Sequence, residues 1–186
     1  MIRSRRVERI RQQQQPAAPV TSLTWLDRTD FARYALVPEQ LVPEWTGGEA
    51  DEVIGEYAGA VRCAGHDVLV LGGEPLAVTW LPEHLLFARW ISADDDTSLL
   101  AGLEPALASD AWEDVVTVEL GGRYVLTDAA YDGEHILGLD DTEQQPELIR
   151  LELPAGRYRV QSLLLEPDPE SSFQLERLLP STSARS

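Results

Sequence analysis

The residues best suited to chemistry in this sequence are acidic, and they raise the question of metal binding. Asp128, Asp132 and Gly133 occupy positions 1, 5 and 6 of a calcium-binding EF-hand loop. Position 3 is Ala130 and position 12 is Leu139, where that loop needs an oxygen ligand and a bidentate glutamate. An Asp-Gly pair is also typical of a tight β-hairpin, and this is the interpretation we adopt for Asp132-Gly133.

Other catalytic and ligand-binding patterns are incomplete. The three histidines are far apart in sequence, and Cys63-x-x-His66 lacks the further ligands of a zinc site. The sequence has no G-x-S-x-G elbow, and Gly72-Gly73 belongs neither to a P-loop nor to a dinucleotide fingerprint. Lysine is absent, which excludes Schiff-base chemistry. We therefore predict no metal, no cofactor and no catalytic residue, and expect a protein that is not an enzyme.

Three acidic clusters remain as candidates for binding a partner. Each has an ordinary explanation, because loops are solvated and aspartates cap helices. The alternative is an anionic patch that docks a basic protein, in which aromatic anchors give affinity and the acids set rate and specificity. The residues of these clusters are Glu49, Asp51 and Glu52; Asp94, Asp95 and Asp96; and Asp140, Asp141 and Glu143.

Composition narrows the class of partner. The 186 residues carry a net charge of −17, which disfavours nucleic acid because phosphates would be repelled. No apolar run approaches the roughly 18 residues that a membrane span requires. The arginine-rich N-terminus has no apolar segment typical of a secretory signal, and one cysteine permits no internal disulfide. We expect a cytoplasmic protein.

The division of the chain follows from the same composition. Residues 1–21 are rich in arginine, glutamine and proline, and we predict a disordered arm. Residues 22–166 are predicted to form one domain, and residues 167–186 a partly disordered tail. Within that tail, the apolar residues from Phe173 to Leu179 could form one last docked segment that ends before Pro180.

Short apolar runs between glycines and prolines predict an α+β fold with about seven to nine short, mostly antiparallel strands. One main helix should follow Asp94–Asp96, with Leu99, Leu100, Leu103 and Leu107 as its apolar stripe and Pro105 as a kink or break. A second, short helix is predicted over Pro38–Trp45. The predicted strands are 32–37, 55–62, 67–71, 76–81, 85–91, 115–120, 123–129, 148–153 and 157–165.

The stretch VLVLGGEPLAVTWLPEHLLFARW, residues 68–90, is predicted to be a three-stranded meander. In this arrangement Gly72 or Gly73 supplies the positive φ of a tight hairpin. Trp80 and Trp90 would then be cross-strand neighbours in the core. A cleft near these tryptophans and His84 is the place where an enzyme or a small-molecule binder would have its site.

Several segments of this sequence form a recognisable set through their order and spacing. They are Trp25, Tyr34–Trp45 with Gly47-Gly48, Glu56–Val61, Val68–Pro75, Trp80–Pro82, Phe87–Trp90 with Ala93-Asp94, Trp112 and Leu153–Val160. This set resembles the immunity protein 21 family of bacterial polymorphic-toxin systems, over roughly residues 25–163. The resemblance implies a stoichiometric inhibitor that binds and blocks a cognate toxin. It implies no catalytic residues, and no interface residues can be carried over.

We therefore predict an immunity protein that neutralises a toxin by protein–protein contact. Two alternatives stay open from the residues alone. One is a regulatory or scaffold module for another basic protein. The other is a small hydrolase or ligand-binding protein with a sheet-lined cleft.

Overall fold

The computed structural model describes residues 23–26, 33–48, 50, 57–73, 76–139 and 146–181. These residues form eight strands, two α-helices and two 3-10 helices. The strands are β1 (Tyr34–Pro38), β2 (Ala58–Cys63), β3 (His66–Leu71), β4 (Val78–Leu81), β5 (Leu86–Ser92), β6 (Glu113–Asp128), β7 (Ile149–Asp168) and β8 (Ser171–Pro180). The α-helices are α1 (Thr97–Leu107) and α2 (Gly133–Ile136), and the 3-10 helices are Glu39–Glu44 and Pro82–His84.

All eight strands belong to one antiparallel sheet, in the order β2-β3-β1-β6-β7-β8-β5-β4. This confirms the predicted α+β class, the number of strands and the single main helix. The short helix predicted over Pro38–Trp45 is the 3-10 helix Glu39–Glu44, which Pro38 precedes. In α1, Leu99 and Leu103 are buried as expected, but Leu100 is exposed and the helix continues to Leu107 past Pro105.

The predicted meander over residues 68–90 is wrong. Strand β3 pairs with β1 and β2, whereas β4 pairs with β5 at the far end of the sheet. Gly73 does have a positive φ, of 87°, but it lies in a crossover between distant strands and not in a hairpin. The Gly-Gly pair therefore correctly predicted a positive φ, here at Gly73, but the prediction that the strands on either side of it pair with each other was wrong.

In two places, a pair of predicted strands is in fact one long, bent strand. The predicted strands 115–120 and 123–129 correspond to β6, and 148–153 and 157–165 correspond to β7. Strand β6 continues through Gly121-Gly122, with a register shift between Leu120 and Gly122 in its pairing with β7. At this point Gly122 has φ of 97°, and a Cβ on Gly121 would lie 2.6 Å from the Cα of Ala155. The glycines therefore allow a bulge and a close approach of two strands, rather than a chain reversal.

The bent strands curl the sheet around a common core. Side chains from both ends of the sheet meet on its inner face, including Leu36, Leu69, Val78, Phe87, Leu126, Tyr158 and Leu178. On the outer face, helix α2 and the first 3-10 helix cover a second cluster that contains Trp45, Val70 and Ile136. Helix α1 covers a third cluster, which contains Ala88, Leu99, Phe173 and Leu175.

The C-terminal segment contributes an interior strand. Strand β8 lies between β7 and β5, and it ends at Pro180. Phe173 and Leu175 on this strand are completely buried. The apolar residues that predicted a docked segment thus place it within the sheet, where both edges of the strand are paired.

Candidate functional site

Of the nine acidic residues predicted to bind a partner, three lie within the described part of the chain. Glu49, Asp51, Glu52, Asp140, Asp141 and Glu143 lie outside the described residues. Asp94 and Asp95 are exposed before α1. An oxygen of Asp95 accepts a hydrogen bond from Thr97 N at 2.9 Å, and one of Asp96 accepts from Leu23 N at 3.0 Å. Both therefore have structural roles: Asp95 bonds to the first residue of α1, and Asp96 holds the backbone at Leu23.

The segment from Asp128 to Gly133 is not the predicted hairpin. Asp132 caps the short helix α2, because its Oδ1 accepts a hydrogen bond from His135 N at 2.9 Å. Asp128 Oδ1 accepts from Ala130 N at the same distance. Each carboxylate thus bonds to the backbone a few residues ahead. Across the residues that the structure describes, no group of three or more histidine, cysteine and acidic side chains is arranged to hold a metal ion.

The tryptophans of the predicted cleft lie on opposite faces of the sheet. Trp80 packs against Phe87 beside the inner core, with ring centroids 4.5 Å apart. Trp90 lies beneath α1 with Trp25 and Phe173, at centroid distances of 5.1 and 5.5 Å. The prediction that Trp80 and Trp90 are cross-strand neighbours is therefore wrong, because Trp80 is in register with Phe87. The two tryptophans thus do not line one face of the sheet together.

A cleft of about 700 Å³ lies instead where the start of β2 faces β6, β7 and β8. Its walls include Tyr57 and Leu164, whose side chains are large and apolar and about half exposed. Its floor is polar: Gln174 Nε2 donates to Ser162 Oγ at 2.6 Å, and both residues are more than nine-tenths buried. We call this site, whose lining includes Tyr57, Ser162, Leu164 and Gln174, the β2–β7 cleft.

A buried ion pair fixes one wall of the β2–β7 cleft. Arg89 on β5 and Glu176 on β8 are 1% and 0% exposed, and Arg89 Nε lies 3.1 Å from Glu176 Oε1. The same guanidinium donates to the backbone oxygens of Tyr57, at 3.1 Å, and of Gly72. The pair therefore ties the open end of the β2–β3 hairpin to strands from the other end of the sheet. Burial raises the pKa of the Glu176 carboxyl, and the charge and hydrogen bonds of Arg89 oppose that rise.

Sequence reasoning overlooked this pair, although the sequence contains a signal for it. Arg89 interrupts the apolar run Leu86–Ile91, and Glu176 lies within the apolar segment Phe173–Leu179. A charged side chain at such a position needs a buried counter-charge. The sequence does not show which acid pairs with which arginine, because the two strands come together only through the sheet register.

A groove under α1 adjoins the β2–β7 cleft. It has a volume of about 500 Å³, and its walls include Gly102, Pro105 and Pro167. Leu163, Leu164 and Ala111 line both concavities. Among the described residues, the charged ones on their combined walls are Glu113, Asp114 and Glu166, and none is an arginine or a histidine.

A depression of about 520 Å³ elsewhere on the protein brings a histidine and two acidic residues to one surface. His66, Asp67 and Glu119 line it. One oxygen of Asp67 accepts a hydrogen bond from Arg62 at 2.6 Å, and the other accepts from Glu119 N at 2.8 Å. Burial alone would raise the pKa of Asp67, but these bonds outweigh it and hold the pKa below its ordinary value. A carboxylate so committed is a weak base, so this depression gives little support to a hydrolase.

The lowered pKa of Asp67 predicts an effect on acid stability. Its ionised form stabilises the fold at neutral pH, and that contribution is lost as the pH falls through the folded-state pKa. Replacing Asp67→Asn keeps the shape and removes the charge, so the free energy of unfolding should fall at neutral pH. The difference from the wild type should shrink below about pH 4. Urea titrations at about pH 7 and pH 3 measure this; a difference independent of pH would contradict it.

Comparison with known proteins identifies the family to which the chain belongs. Residues 32–171 match the family described as immunity protein 21. The chain belongs to this family. The match includes the residues of the β2–β7 cleft on β2, β6 and β7, and ends before Gln174 and Glu176. No curated protein and no solved structure is significantly similar to the chain.

Membership of the immunity protein 21 family confirms the resemblance found in the sequence. Immunity protein families are generally non-catalytic, and membership implies a toxin as partner. Within the described residues, no helix is both long and apolar enough to cross a membrane.

Proposed function

We propose that this protein neutralises a cognate bacterial toxin by binding it in a stoichiometric complex in the cytoplasm. Membership of the immunity protein 21 family is the observation that carries the proposal. A scaffold module for another basic protein differs from this proposal only in the identity of its partner.

Co-expression with the toxin domain encoded beside the gene tests the proposal. We expect cells that make both proteins to survive, and the purified proteins to form a complex of fixed stoichiometry. The matched control is this protein expressed with a toxin from an unrelated system, which it should not neutralise. Failure of the cognate pair both to protect cells and to form a complex would end the proposal.

In this proposal, the acidic clusters predicted from the sequence attract the toxin electrostatically before the two proteins touch. The chain has a net charge of −17 and should attract a basic toxin surface over distances longer than any direct contact. Asp94 and Asp95 are exposed members of these clusters. We propose that they and the six acids outside the described residues increase the association rate.

This electrostatic part predicts a dependence on salt. Raising the ionic strength from about 0.05 to 0.5 M should lower the association rate constant about tenfold, because salt screens attraction between exposed charges. The dissociation rate constant should change much less. Stopped-flow measurements would separate the two. An association rate that salt does not alter would remove the acidic patch from the mechanism and leave neutralisation itself intact.

A further inference from the structure

We infer that the β2–β7 cleft and the groove under α1 form the toxin-binding surface, and that they receive an extended, positively charged segment of the toxin. This inference rests on the proposed function and specifies the face and the chemistry of its partner. Three independent features of the described residues support it: the exposed apolar side chains, the sign of the charges, and the rigidity of the walls.

The apolar side chains are placed as anchors for a protein contact. Tyr57 is 55% exposed and Leu164 is 51% exposed, and both line the same cleft. Large apolar side chains lose stabilising contacts when they face water, and their grouping at a concave surface is typical of an interaction site. Tyrosine is also one of the residue types that most often dominate binding energy. Pro105 and Pro167 extend this apolar surface along the groove.

The charges on the walls select a cationic partner. Glu113 and Asp114 line the cleft and Glu166 lines the groove, and no basic residue of the described part of the chain lines either one. Asp114 already has a partner, because Arg159 Nε lies 3.4 Å from it and Gln161 Nε2 lies 2.5 Å from it. Glu113 and Glu166 are thus the acids best placed to meet arginine or lysine side chains of the toxin. An anionic or nucleic-acid partner would be repelled here.

Hydrogen bonds hold the walls of the β2–β7 cleft in place in the free protein. Arg89 bonds to the backbone oxygen of Tyr57, and Gln174 bonds to Ser162 on the floor. A surface that is already ordered loses less conformational entropy on binding. The cleft and the groove adjoin, because Leu163 and Leu164 line both, and two adjoining concavities suit an extended segment better than a single side chain.

Measurements of affinity for the toxin domain encoded beside the gene test this inference. Tyr57→Ala should weaken binding about thirtyfold, as expected for an anchor residue. Leu164→Ala should weaken it about tenfold, because it removes apolar area that the partner would bury. The matched control is Leu137→Ala, since Leu137 is 49% exposed and lies after α2, outside both concavities. It should bind as the wild type does. Glu113→Gln should slow association, whereas Glu134→Gln on α2 should not.

Hydrogen exchange in the complex gives a second readout that does not depend on a substitution. Backbone amides of residues 57–60 and 162–165 should exchange more slowly when the toxin is bound, and those of residues 133–138 should be unchanged. If the wild type binds but the Tyr57 and Leu164 variants bind equally well, the inference fails and the proposed function stands. If the wild type does not bind the toxin, both fail together.

Discussion

Replacing Arg89→Met should lower the free energy of unfolding by about 3–5 kcal/mol, the usual cost of removing one partner of a buried ion pair. The Glu176 carboxylate would stay completely buried with no counter-charge, and its Oε2 already has no hydrogen-bond partner among the described residues. The backbone oxygen of Gly72 would also lose the hydrogen bond that Arg89 gives it. Urea denaturation followed by tryptophan fluorescence measures the loss.

Two further variants show whether the charge or the packing is responsible. The double variant Arg89→Met with Glu176→Leu removes both charges from the interior, and it should recover most of the lost stability. Arg123→Met removes an arginine that is 76% exposed and pairs with Glu39 at 3.0 Å. It should remain within about 1 kcal/mol of the wild type. A double variant that is no more stable than Arg89→Met would contradict the electrostatic explanation.

Replacing Gly133→Ala should destabilise the protein by about 3 kcal/mol, at the upper end of the usual cost of overpacking. A Cβ on Gly133 would meet backbone atoms of the first 3-10 helix, with Val42 O at 1.9 Å and Val42 C at 2.8 Å. Backbone cannot rotate away as a side chain can, and Gly133 N is held by a 2.8 Å hydrogen bond to Trp45 O. Thermal unfolding followed by circular dichroism measures the change.

Gly156→Ala provides the control for that prediction. Gly156 lies in β7, and a Cβ added there would meet no atom within 4 Å. This variant should unfold at nearly the wild-type temperature. Equal destabilisation by the two substitutions would show that the loss comes from a general effect of replacing glycine, rather than from the contact between α2 and the first 3-10 helix.

The sequence and the structure explain Gly133 in different ways. The Asp-Gly pair predicted a hairpin, because glycine readily adopts the positive φ that such turns need. In the structure Asp132 caps α2, and the glycine is required by the backbone of another element. Turn propensity depends on the residues themselves, whereas a close approach depends on what the rest of the chain brings there.

The same distinction applies to the tryptophans. Alternation of apolar residues correctly predicted that Trp80 and Trp90 lie in strands, and β4 and β5 do form a hairpin. Their register places Trp80 opposite Phe87, so the two tryptophans point to opposite faces of the sheet. A shift of one residue reverses the face of every side chain in a strand, and the sequence alone did not determine that register.

The acidic surface illustrates what remains a prediction. Composition predicted a basic partner, and family membership agrees with a protein partner. Six of the nine acids selected from the sequence lie outside the described residues, so their place in an interface stays a prediction. The β2–β7 cleft was not predicted, because Tyr57, Glu113, Leu164 and Gln174 are distant in sequence and meet only in the folded sheet.

The sequence by itself determined the α+β class, most strand positions, the main helix, the sign of the surface charge and the family. These properties depend on local alternation, on capping residues, on composition and on short segments in order, all of which are present in the unfolded chain. Only the tertiary structure decided the strand order, the Arg89–Glu176 pair and the cleft that the pair supports. Each of these requires residues far apart in sequence to meet, and the free energy of that meeting comes from the whole core rather than from any one segment.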